Sequence, residues 1–153
     1  MRTHPQNSVI QEVVHMEAIT LKCCCGSVQL LISAPAIAQF YCHCDDCQAT
    51  SGGAYVPLAL FSSDHVAVIG ETLSTWTYKT LPRTRCSKCG TFLFGEPPGS
   101  GFRGVSGSLF EAGAFQSRFH IRCRYAIAPV KDTLPHFSSL PASLGGTDET
   151  VEW

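Results

Sequence analysis

Three cysteines, Cys42, Cys44 and Cys47, fall within six residues in the stretch YCHCDDCQATSGG, and six more occur as CCCG at 23–26, CSKCG at 86–90 and a lone Cys123. Consecutive or alternating cysteines are too crowded for ordinary disulfides among themselves, because a bridge needs a specific Cα separation and Cβ direction. The N-terminus MRTHPQNSVIQEVVHM has no apolar signal-peptide core, so a cytoplasmic location is expected. In that reducing compartment clustered thiols serve metal binding more often than cross-linking. Metal ligation is therefore the first constraint on the fold.

A glycine follows the last thiol of both CCCG and CSKCG, where it allows a tight turn whose amides point at sulfur and offset its charge. In an extended segment Cys23 and Cys25 share one side and Cys24 faces the other, since strand side chains alternate. Cys23, Cys25, Cys86 and Cys89 thus make a closed four-thiolate set, the usual composition of a structural zinc site. Cys42, Cys44 and Cys47 then leave one tetrahedral position for water, for substrate or for a fourth side chain. An open position distinguishes catalytic from structural zinc. His43, His120, Asp45 or Cys123 are the candidates for closing it, and a second structural zinc is the alternative reading. His43, between two ligands, should point away from a metal they share, and Asp45 and Asp46 are placed to cap a short helix.

The 153 residues are 44% hydrophobic and 15% charged, which is the composition of one folded domain with a real core. A net charge of −1 without runs of like charge argues against a nucleic-acid or anionic-membrane surface. No stretch is long and apolar enough for a membrane helix, so a small-molecule partner is expected. AITLKC, SVQLLIS, YVPLALF, HVAVI, STWTYKT and RFHIRCRY are short, rich in β-branched and aromatic residues, and bounded by Gly, Pro, Ser or Asp, which reads as strands. Helical periodicity is confined to a turn or two after Asp45 and another near Glu111 to Phe115. The chain is expected to be mostly β, antiparallel, with little helix. GEPPGSG at 95–101 reads as a loop. The divisions expected are an N-terminal extension at 1–15, with Met16 a possible start, a zinc-binding domain at 16–138, and a polar, loosely attached tail at 139–153.

CxCG at 23–26, CHCDDCQATSGG at 42–53, CSKCG with the following TFLF, VSGSL at 105–109, HI at 120–121 and DTLPHF at 132–137 form one ordered series. It resembles the glutathione-dependent formaldehyde-activating enzyme family, which includes centromere protein V-like proteins. The resemblance runs from residue 18 to 138. It implies a β-tent fold of antiparallel sheets with two zinc ions: a structural ion on Cys23, Cys25, Cys86 and Cys89, and a catalytic ion on Cys42, Cys44 and Cys47. The second, with fewer protein ligands, should be held more weakly. The implied reaction is condensation of glutathione with formaldehyde to S-hydroxymethylglutathione, formally a carbon-sulfur lyase reaction in reverse. Many members carry a tryptophan before the tail aspartate, where this chain has Ile127.

Glutathione carries two carboxylates, for which arginine is the best planar match. Arg83, Arg85, Lys88 and Arg103 are the cations nearest the motifs. The alternative to an enzyme is a non-catalytic zinc-stabilised module that binds a protein.

Overall fold

Alternation along YVPLALF explains much of the architecture. Ala59 and Phe61 are buried in the main core while Val56, Leu58 and Leu60 project from the opposite face of the same strand. Such a strand needs cover on both sides. The computed structural model, which describes residues 17–153, supplies it with two sheets. The smaller is three-stranded, in the order β1 (Ile19–Lys22), β2 (Gln29–Ile32), β5 (Val66–Ile69). The larger has seven strands in the order β10-β3-β4-β9-β8-β7-β6, where β3 is Ala38–Cys42, β4 Val56–Ser62, β6 Leu73–Thr77, β7 Pro82–Cys86, β8 Phe92–Gly95, β9 Phe102–Ser106 and β10 Phe119–Ile121. The chain is mostly β, as expected.

The main core lies where the small sheet packs on the large one, with Val28, Leu30, Ile32, Ala59, Leu93 and Val105 fully buried. A second cluster occupies the other face of the large sheet, where Phe40, Cys42, Cys47, Val56 and Ile121 are buried together. Register builds that second face: Cys42, Phe40 and Ala38 of β3 pair with Val56, Leu58 and Leu60 of β4. Three departures from the sequence reading matter. β10 pairs with β3 in parallel, so the sheets are not wholly antiparallel. The segment near Glu111 to Phe115 is a turn rather than a helix, stabilised by an Ala114 N–H bond to the Glu111 carbonyl. The sequence reading omits the strands β3, β7, β8 and β9; of these β7, β8 and β9 carry too little alternation, as their burial patterns show.

The tail is also attached more firmly than its composition suggests. Ser138 N–H donates to the Glu149 carbonyl and Val151 N–H to the His136 carbonyl, and the Trp153 ring lies 4.5 Å from the His136 ring, tilted by 41°. Backbone pairing and one large aromatic anchor outweigh the polarity of the intervening residues. The proposed extension at 1–15 and Met16 lie outside the described residues.

Candidate metal centres and the adjoining cavity

Both glycine-ended knuckles turn as their chemistry requires. Gly26 and Gly90 adopt left-handed φ values of 76° and 77°, and their amides close on the carbonyls of Cys23 and Cys86. These turns link β1 to β2 and β7 to β8, so the four thiols at their tips bring the two sheets together. The sulfurs of Cys23, Cys25, Cys86 and Cys89 lie within 4.8 Å of one another, with Cys23 and Cys86 buried and the other two exposed. Val28 N–H donates to Cys23 Sγ at 3.3 Å, and Ser27 Oγ lies 2.9 Å from Cys25 Sγ. All nine cysteines are free thiols. Four soft donors held together without a covalent bridge suit zinc. Cys24 is exposed and outside the group, but it sits in the turn closed by Gly26 and not on an extended strand, so strand alternation is not the reason.

Cys42 ends β3, and Cys44 and Cys47 begin α1 (Asp45–Ser51), the one α-helix among the described residues. The cap of α1 is not an aspartate: Cys44 holds the N-cap position, its sulfur accepting from Cys47 N–H at 3.2 Å, while Asp45 and Asp46 follow in the first turn. The three sulfurs of Cys42, Cys44 and Cys47 also lie within 4.8 Å of one another. No fourth His, Cys, Asp or Glu among the described residues joins them. Hydrogen bonds from Cys42 and Cys47 hold the Cys44 thiol down to about 2, and the same bond with Cys44 pushes Cys42 well above its ordinary value. Three sulfurs gathered this closely form a donor set a soft divalent cation fits.

The four proposed closers are otherwise engaged. Asp45 pairs with Lys79 at the surface. His43 Nε2 lies 2.8 Å from His120 Nδ1, on the face of the sheet opposite Cys42, and His120 Nε2 lies 2.8 Å from Asp132. Burial, with the neighbouring imidazoles His120 and His136, lowers His43 to about 4, so it stays neutral at neutral pH. Cys123 is a buried thiol raised to about 12 by desolvation, outside both sulfur groups. His120, Asp132 and His136 form a third group of possible ligands. Their contacts of 2.8 and 2.9 Å are hydrogen bonds, with the Asp132 carboxylate accepting from both rings.

A cavity of about 450 Å³ opens beside Cys42, Cys44 and Cys47. Of the four cations read from sequence, Arg83 alone lines it. Its Nη1 donates to Asp46 at 2.6 Å and its Nη2 to Cys47 Sγ at 3.5 Å. Arg85 donates to the Thr50 and Gly90 carbonyls, Arg103 pairs with Glu96, and Lys88 is exposed. Arg83 and Asp46 are both buried, and Asp46 Oδ1 has no partner. Removing the arginine leaves a buried carboxylate uncompensated, which costs about 3–5 kcal/mol. Arg83→Met should lower unfolding free energy by about that much in urea titration; a change under about 1 kcal/mol would mean the pair is not structural.

Sequence reading missed Arg122, which also lines the cavity. It directly follows β10 in a left-handed conformation (φ 57°, ψ 32°), a strain of about 1 kcal/mol or more for a residue other than glycine. Its guanidinium donates to Ser139 Oγ at 2.8 Å, and no carboxylate among the described residues lies within ion-pair distance of it. No motif marks this position. Its only sequence signal is its place immediately after Ile121.

A family model for the glutathione-dependent formaldehyde-activating enzyme matches residues 18–127. The chain belongs to that family. No curated protein matches the chain. Among solved structures, a crystal structure of a Rhodobacter sphaeroides protein is similar, at 17% identity and a TM-score of 0.52, covering 61% of this chain and 89% of that one. At that identity the likeness bears on the fold alone. The formaldehyde-activating family match ends before Asp132 and His136, although both bond into the domain through or beside His120. No helix among the described residues is long and apolar enough to cross a membrane.

Proposed function

We propose that this chain is a zinc-dependent carbon-sulfur lyase that makes or cleaves the adduct of a thiol, glutathione in the founding activity of the family, with a small aldehyde. The observation that carries this reading is the three-sulfur group of Cys42, Cys44 and Cys47, without a fourth side-chain ligand among the described residues, at the wall of a cavity sized for a small molecule. Cys42, Cys44 and Cys47 would hold the catalytic ion, and Cys23, Cys25, Cys86 and Cys89 the structural one. Zinc, when bound, favours the ionised form of a thiol that reaches it.

The protein's own groups account for the remainder of the chemistry. Toward the adduct, the substrate sulfur forms a bond to the carbonyl carbon, the π pair of C=O moves to oxygen, and the thiol proton ends on that oxygen. Arg83 fixes Cys47 and balances the anionic trio from beneath. Apolar side chains, Phe40, Val56, Leu58, Leu60 and Phe92 among them, form much of the cavity wall beside the trio. Arg122, a cavity cation without an acidic partner among the described residues, is placed to take a substrate carboxylate. The strain in its backbone is what a positioning role would require.

The test is the rate of S-hydroxymethylglutathione formation and breakdown by zinc-loaded protein, measured above the spontaneous reaction. No acceleration at any protein concentration would remove the enzymatic reading and leave a zinc-stabilised binding module. Within the enzymatic reading, Arg122→Ala should raise KM for the thiol about tenfold, the equivalent of one charge-assisted hydrogen bond, with kcat little changed. An unchanged KM would place the carboxylate elsewhere.

A further inference from the structure

The cavity is built for more carbon than formaldehyde supplies. From Cys42 an apolar band runs without interruption across the large sheet: Phe40 on β3, then Leu58 and Leu60 on β4, all facing the cavity. Beyond Leu60 the floor is Gly104 on β9, directly opposite Leu60, and beyond that Gly95 on β8, paired with Gly104. Neither glycine has a positive φ, so backbone conformation does not demand glycine at either place. A Cβ on Gly104 would meet nothing closer than 3.8 Å, which is ordinary contact. One on Gly95 would meet the flexible Leu81 side chain at 3.4 Å, so two neighbouring strand positions lack side chains where at least a methyl group would be tolerated. Glycine inside a strand commonly marks the close approach of a ligand. Phe92 also lines the cavity.

Glutathione itself offers this band little. Its carboxylates and amides would be desolvated against Leu58, Leu60 and Phe92 without partners, an unfavourable exchange. Formaldehyde contributes one carbon with no apolar surface to speak of. An aliphatic chain or aromatic ring on the aldehyde carbon would cover the band, while Arg122 retains a carboxylate of the thiol partner.

We infer that the adduct handled at this site is built on an aldehyde with an apolar body, seated over Gly104 and Gly95 with its carbonyl carbon toward Cys42, Cys44 and Cys47. This rests on the thiol-aldehyde reading above. The bond changes are those already given: one carbon-sulfur bond forms, the C=O pair goes to oxygen, and the thiol proton follows it.

Two measurements on zinc-loaded protein test the inference. Calorimetric titration compares S-hexylglutathione with S-methylglutathione, which are stable thioethers differing only in apolar length. Turnover compares hexanal with formaldehyde, each with glutathione. The hexyl ligand should bind at least about tenfold more tightly, which is about 1.4 kcal/mol. Gly104→Val, whose added methyls would occupy the floor, should bring that ratio below about threefold, and Gly104→Ala should give an intermediate value. Equal binding of the two thioethers, or a preference unchanged in both glycine variants, overturns the inference. Turnover of formaldehyde with no preference for hexanal overturns it while sparing the lyase reading. Tight hexyl binding with no turnover of either aldehyde removes the lyase reading instead and leaves the apolar seat standing as a binding site.

Discussion

Cys44→Ser should lose one of two zinc ions and at least about a hundredfold in the rate of adduct formation, while keeping the fold. Serine is a good test at this position because Cys44 has two duties that the substitution separates. As N-cap, it accepts the Cys47 N–H that starts α1. Serine does this at least as well, so the helix and the packing of Cys47 should survive. As a proposed ligand, it supplies one of the three sulfurs of the trio. A neutral hydroxyl is a far poorer donor to a soft cation. The measurements are zinc per chain by elemental analysis, thermal melting and turnover above background. Retention of two zinc ions with undiminished turnover would remove Cys44 from the proposed centre. Loss of one ion with full turnover would keep the metal site and deprive it of its catalytic role.

Cys86→Ser should have a larger effect of another kind, abolishing the folded state. Cys86 is 1% exposed and belongs to the main core with Leu93 and Val105. Its sulfur lies 3.8 Å from Cys25 Sγ, across the junction of the two sheets. Structural zinc contributes about 10–16 kcal/mol in small zinc domains, as much as the whole stability of a typical domain. The small sheet has only three short strands, so the loss of this anchor exposes the core beneath it. Far-ultraviolet circular dichroism on heating should show no cooperative transition in the variant. A melt within about 5 °C of the wild type would mean that the four thiols do not carry a structural ion. The two serine variants together distinguish the sites: one loses chemistry, the other loses the protein.

Much of this was legible before any coordinates because it is local. Ligand spacing in CxC and CxxC, glycine after the last thiol, and alternation in YVPLALF depend on a few consecutive residues. The helix after Cys44 is equally local, although its cap is that cysteine and not an aspartate. The Cys44 sulfur accepts the Cys47 amide in its place. The weakly patterned strands β7 and β8 were not legible. PRTRC and FLFG gain their strand conformation from pairing with neighbours, and Arg83 is buried only because Asp46 and Cys47 meet it there.

The sequence settles the pairing of each knuckle and the predominance of strands, which follow from short-range spacing, and the family, which follows from the order of the motifs along the chain. Tertiary structure alone decided what surrounds the open trio. The parallel register of β10 on β3 sets Ile121 beside Cys42 and sends His120 to the opposite face, against His43. A one-residue shift would exchange them. The same register delivers Arg122 to the cavity, and the pairing of β4, β9 and β8 aligns Leu60, Gly104 and Gly95 into its floor. These neighbours come from distant parts of the chain, and only closure of the sheet brings them together.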